Sequence, residues 1–305
     1  MKLAVASSSE VSLPVLNFLK NHKDYDLQLV ITNPDKPTGR GRLISPNAVS
    51  SWCSENEILV AKPIDNQGLL SILSQSELDL LITVAYGHIL QDEALSKPKY
   101  GAINLHYSLL PKYRGAAPVQ HAILNGDKKS GVTVFKLDAG MDSGPIYTQQ
   151  ELEIEPTETT QQLLSRLNIV GVDLINQTLK MISEGAQPIP QSQSGISFAP
   201  KLTKADGQIN WQSSAENIFN QYRALGTNPG VFTMHSDVKI KISQMNKVNS
   251  DALAPGAFSV LNDALLVGTQ SNDLMINYLI PEGRKEMSGK DFYNGLREKA
   301  QRSFA

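Results

Sequence analysis

The sequence predicts an α/β protein with a doubly wound, mostly parallel sheet, followed by a smaller OB-like β-barrel. Three observations predict it. Short β-branched runs alternate with helical periodicity from residue 1 to about 185, as in a sheet with covering helices. The run from Leu80 to Ala85 is apolar at nearly every position, which suits a central strand buried on both faces. Beyond a proline-rich stretch the pattern changes to strict alternation without long intervening helices. A chain of 305 residues at about 150 residues per domain also leads us to expect two cores.

In chain order, strands are expected at Leu3 to Ala6, Leu27 to Thr32, Ile58 to Ala61, Leu80 to Ala85, Ala102 to Leu105 and Val132 to Leu137. Helices are expected between them at Leu13 to Asn21, Pro46 to Asn56, Asn66 to Gln75 and Ala117 to Asn125. From Thr157 onward, Leu163, Leu164, Leu167, Val170, Leu174 and Leu179 recur at helical spacing and mark a long amphipathic helix. Residues 188 to 200 hold prolines and serines but no charge, so a linker is expected at 188–203 between domains at 1–187 and 204–305. In the second domain Val238, Ile240 and Ile242 alternate with Lys239 and Lys241. Further short strands are expected at Ala257 to Val260, Ala264 to Val267 and Leu274 to Leu279.

Composition excludes several classes. Twenty-eight basic and 30 acidic residues give a formal charge of −2, so bulk positive charge does not argue for nucleic acid. A slight basic excess follows residue 200. The single cysteine, Cys53, can form neither an internal disulfide nor a thiolate-rich zinc site. Beside Trp52 it reads as a packing residue. No metal, a cytoplasmic location and no membrane contact are therefore expected: no signal-peptide core follows Lys2, and Asp79 and Thr83 interrupt the longest apolar run. The first βα turn, Ala6-Ser7-Ser8-Ser9-Glu10, lacks glycine, and no GxGxxG pattern occurs, which removes the main support for dinucleotide binding.

Two clusters carry chemistry. Asn104 and His106 lie two apart at the end of an expected strand, so their side chains point the same way, toward the edge where open α/β sheets bind ligands. Asp138 and Asp142 sit among glycines after the strand ending at Leu137. There they either bond their own turn or orient a histidine, and spacing leaves both open.

The run Ser108-Leu-Leu-Pro-Lys-Tyr-Arg-Gly-Ala-Ala-Pro-Val-Gln120, with Asn104-Leu-His106 before it and Asp142 after it, resembles the signature of the folate-dependent formyltransferases. Asn33-Pro-Asp-Lys-Pro-Thr-Gly-Arg-Gly-Arg42 is similar to the loop of the branch that acts on methionyl-tRNA. Val84 to Leu90, Lys201 to Trp211 and Gly283 to Ser288 also match, in order, so the resemblance spans nearly the whole chain. It departs from the family at Ser7-Ser8-Ser9 and at Arg223 to Gly230, and no substrate contacts are carried over there.

The resemblance implies an enzyme that moves the formyl group of 10-formyltetrahydrofolate to the α-amino group of methionine on initiator tRNA. Residues 1–187 would form its catalytic domain. It further implies Asn104 and His106 as donors to the developing oxyanion, and Asp142 as the partner that relays protons. Ser108, Leu109, Leu110 and Pro111 would line the folate pocket, and Arg40 with Lys36 and Arg42 would meet the tRNA. A monomer is expected. Two other readings keep parts of this pattern. A formyltransferase for a small amine, glycinamide ribonucleotide or an amino sugar, needs neither the basic loop nor the long C-terminal domain. A non-catalytic RNA-binding protein would not need His106.

Overall fold

Alternating buried strands and amphipathic helices build the first half of the chain in the computed structural model, which describes residues 1–38, 43–296 and 302–305. In order come β1 (Lys2–Ala6), α1 (Leu13–Asn21), β2 (Asp26–Ile31), β3 (Lys36–Thr38), β4 (Leu43–Ser45), α2 (Ala48–Glu55), β5 (Val60–Ala61), α3 (Asn66–Gln75), β6 (Leu80–Val84), α4 (Asp92–Leu95), β7 (Ala102–His106), α5 (Pro118–Leu124), β8 (Lys129–Lys136), β9 (Ile146–Glu153) and α6 (Thr160–Ser183). The helices start where side-chain oxygens cap free N–H groups: Asn47 accepts from the Ser50 amide and Asp65 from that of Gly68.

The sheet order is β5-β2-β1-β6-β7-β8-β9. The five strands from β5 to β7 pair in parallel, and β8 and β9 continue the sheet antiparallel. Strand order reverses between β1 and β6, so the expected ligand crevice lies beyond the carboxyl ends of β1, β6 and β7. β6 is buried at every position, as its uninterrupted apolar run requires. β9 carries no sequence signal, because this edge strand exposes Gln149, Gln150 and Glu151 and buries no face to impose alternation. Cys53 is fully buried, and burial pushes its thiol up to about 11, which leaves it a packing residue at neutral pH.

The chain divides into one unit of residues 1–118, 129–153 and 163–200 and another of 119–128, 154–162 and 201–305. Segment 188–200 is no free tether. Ile189 pairs with Ile146, while Ser197 and Ala199 bond the backbone of residues 111–117, so this strap belongs to the first unit. Its low complexity hid these bonds, which are made mainly by backbone.

The second unit contains α7 (Ala215–Leu225), β10 (Val231–His235), β11 (Val238–Lys247), β12 (Phe258–Leu261), β13 (Ala264–Val267), β14 (Leu274–Pro281), β15 (Met287–Ser288) and α8 (Gly289–Asn294). Its antiparallel order is β10-β11-β14-β13-β12, with β15 on β14. The edges β12 and β10 are joined by the last residues: the Phe258 amide donates to Arg302 and the Ala305 amide to Met234. These last residues thus bridge the two edge strands through backbone hydrogen bonds. Phe304, 6% exposed, stacks on Trp211 at 5.7 Å and lies 4.7 Å from Phe258. Phe304→Ala is expected to cost about 3 to 5 kcal/mol, read as a lower denaturation midpoint for this unit. A change under about 1 kcal/mol would show that the terminal ring does not hold the barrel.

Candidate active site

β7 ends in the expected pair. Asn104 lies beside Thr83 of β6 in register, and the Thr83 hydroxyl reaches the amide oxygen at 2.9 Å. The same hydroxyl lies 3.2 Å from the Ile103 carbonyl, and the Asn104 Nδ2 makes no hydrogen bond among the described residues. Thr83 itself is 5% exposed and was indistinguishable in sequence from a strand filler.

His106 is 5% exposed, and its Nε2 lies 2.9 Å from the Tyr113 carbonyl. A carbonyl only accepts, so Nε2 carries the proton and the neutral ring presents the Nδ1 lone pair. Nδ1 faces Asp142 Oδ2 at 3.7 Å, and the same oxygen accepts the Gly115 amide at 2.7 Å. Fold and loop thus bring Asp142 to His106, whereas Asp138 bonds Ser143 and the Gly140 amide in its own turn. The two aspartates that spacing left equivalent have different jobs. Burial holds the His106 pKa below its ordinary value, against the opposing pull of the Asp142 carboxylate and the Tyr113 carbonyl.

Left-handed backbone sets both partners: Tyr113 has φ 61° and Asp142 φ 49°. Asp tolerates this region, while for a bulky Tyr it costs on the order of 1 to 3 kcal/mol. Gly115, at φ 119°, is required for a second reason, since a Cβ there would meet the Ala199 carbonyl oxygen at 2.8 Å.

The four residues expected on the folate pocket form a tightly bonded loop. Ser108 is 1% exposed and its hydroxyl donates to the Lys112 carbonyl at 2.6 Å. Thr133 donates to the Ser108 carbonyl at 2.6 Å, and Gln149 reaches both Thr133 and the Leu110 carbonyl. Leu109 and Pro111 are half-buried and Leu110 is buried. Thr133 and Gln149 gave no signal in sequence because they act through backbone atoms of another loop.

Lys36 is exposed on β3. Arg40 and Arg42 lie outside the described residues. The base of their loop is anchored: Asn33 meets His88 Nε2 at 2.6 Å, and Asp35 pairs with Lys62 at 2.6 Å. In the second unit Lys239 sits over the Phe232 ring at 3.5 Å. The unusual serine turn bonds internally and through Ser8 to the Tyr86 carbonyl. Among the described residues no helix is long and apolar enough to cross a membrane, and no group of three or more His, Cys, Asp or Glu that could hold a metal ion occurs.

Residues 1–179 match the family described as formyl transferase, and residues 201–297 match its C-terminal domain. A methionyl-tRNA formyltransferase of Streptomyces griseus is 36% identical over 97% of both chains. One of Thermodesulfovibrio yellowstonii is 38% identical over 94% of this chain and 93% of its own. The N-formyltransferase of Helicobacter canadensis, solved with folinic acid and dTDP-3-aminofucose, shares the fold with a TM-score of 0.69 at 21% identity, covering 90% of this chain and 98% of that one.

Proposed function

The chain belongs to the formyl transferase family, and on that premise we propose that it transfers the formyl group of 10-formyltetrahydrofolate to the α-amino group of methionine on initiator tRNA. The observation that carries this reading is the match to methionyl-tRNA formyltransferases over nearly the full length, C-terminal domain included. The working division is a catalytic domain at 1–187 and a C-terminal domain at 204–305, with the connection at 188–203 bonded to the first unit through its residues 188–200. The enzyme acts as a cytoplasmic monomer without a metal.

Attack by the neutral amine forms a nitrogen–carbon bond to the formyl carbon and pushes an electron pair onto its oxygen. Asn104 Nδ2, which has no hydrogen-bond partner among the described residues, donates to that oxygen. The amine must lose a proton, and N10 must gain one as its bond to the formyl carbon breaks. His106 and Asp142 relay the proton as a pair, directly or through water: Nδ1 accepts it, and the Asp142 carboxylate at 3.7 Å stabilises the imidazolium. As imidazolium, Nδ1–H becomes a second donor beside Asn104, and from there the proton goes to the leaving nitrogen. Ser108, Leu109, Leu110 and Pro111 shape the folate side. Lys36, Arg40 and Arg42 meet the acceptor stem, where local charge matters more than the net value.

The purified protein, given the folate donor, is expected to formylate methionyl initiator tRNA at least about 10³-fold faster than glycinamide ribonucleotide or a nucleotide-linked amino sugar, since those lack the polyanion the loop addresses. Equal or faster turnover of either small amine would overturn the acceptor assignment.

A further inference from the structure

We propose that Gln191, in the strap, is a positioning residue that fixes the loop carrying Asp142 and thereby the spacing of Asp142 from His106. The role rests on the catalytic reading above. Gln191 is 6% exposed and uses both ends of its amide. Nε2 donates to the carbonyls of Asp142 and Gly144, each at 2.8 Å, and Oε1 accepts from Arg114 Nη2 at 2.6 Å. One side chain thus chelates two carbonyls flanking Ser143 and ties them to the loop that supplies both the Tyr113 carbonyl and the Gly115 amide.

The strap is anchored on either side of Gln191. Ile189 exchanges two backbone bonds with Ile146, at 2.7 and 2.8 Å. Ser197 accepts the Arg114 amide at 2.9 Å through its carbonyl and the Tyr113 amide at 2.9 Å through its hydroxyl, and the Ala199 amide donates to the Arg114 carbonyl at 2.7 Å. Both left-handed residues of the site, Tyr113 and Asp142, are therefore gripped by one uncharged segment. Its bonds form only when residues 111–117 and 142–144 already lie side by side, so the strap makes their separation a fixed length. A misplacement of about 1 Å between reacting groups lowers turnover by on the order of 10²-fold, which makes that length functional.

The test uses the full chain. Gln191→Met removes all three bonds at similar volume, whereas Gln191→Glu keeps an acceptor for Arg114 and loses the donors to Asp142 and Gly144. Both variants are expected to lower kcat about 30-fold, with KM for donor and acceptor within about threefold and cooperative melting retained. In an Asp142→Asn background Gln191→Met is expected to add less than about threefold, because the two act through one element. The His106 ring-nitrogen resonances at fixed pH are expected to shift in both variants, a readout that needs no turnover.

A wild-type kcat in Gln191→Met, or full additivity with Asp142→Asn, would overturn the proposal. So would a wild-type kcat in Gln191→Glu, which would assign the effect to Arg114. Failure of the wild-type protein to formylate any acceptor would sink the functional reading instead, and the His106 resonances would then decide for or against Gln191.

Discussion

His106→Ala is expected to lower turnover about 10³-fold, within the range a positioned acid–base group supplies, while tRNA affinity stays within about threefold. The ring is buried and makes its contacts inside the first unit, so its loss leaves the exposed cations untouched. Unchanged formylation by His106→Ala would end the enzyme mechanism given above, and unchanged RNA binding alone would fit a non-catalytic protein. The pH profile carries the same assignment. Burial disfavours the imidazolium more than Asp142 and Tyr113 favour it, so the ring stays neutral below its ordinary value of about 6.5. The acid limb of kcat/KM is expected below pH 6.5 and lower still in Asp142→Asn, a substitution whose side chain tolerates the left-handed backbone. Stability follows the same sign: between the folded and unfolded pKa the unfolded chain binds more protons, so this contribution is present above that window and lost as pH falls through it. A limb above pH 6.5 would mean the charged form is favoured in the site.

Asn104→Ala is expected to lower kcat by about 10² to 10³-fold, the effect of removing one preorganised oxyanion donor. Because the amide acts on charge that develops during reaction, KM for the folate is expected to change by less than about threefold. Thr83→Val leaves Nδ2 in place but frees the amide to rotate, and should lose a smaller part of kcat. If Asn104→Ala raised KM at constant kcat, the amide would be a ground-state contact.

Much of the site was legible in sequence because strand geometry is local. Once residues 102 to 106 read as a strand, Asn104 and His106 had to share a face and sit at its carboxyl end. The choice between Asp138 and Asp142 was not legible, since it depends on how the β8–β9 loop meets Gly115. Thr83, Gln149 and Gln191 were invisible for a related reason: each bonds a segment far from it in the chain, Asn104, Leu110 and Asp142 respectively. The strap shows the same limit, because proline, serine and glutamine without charge describe a tether and a backbone-bonded clamp equally well.

By itself, then, the sequence determined the alternating α/β unit, the strand that carries Asn104 and His106, the alternating strands of the second unit and the family. The elements follow from periodicity and residue type within short windows, and the family from the resemblance of the motif from Asn104 to Gln120. Only the tertiary structure decided which aspartate serves His106, which ring nitrogen keeps its proton and how the last residues bridge the two edge strands of the second unit. Those outcomes turn on a few hydrogen bonds between segments far apart in the chain. Such bonds depend on distance in space, which no local pattern of residues encodes.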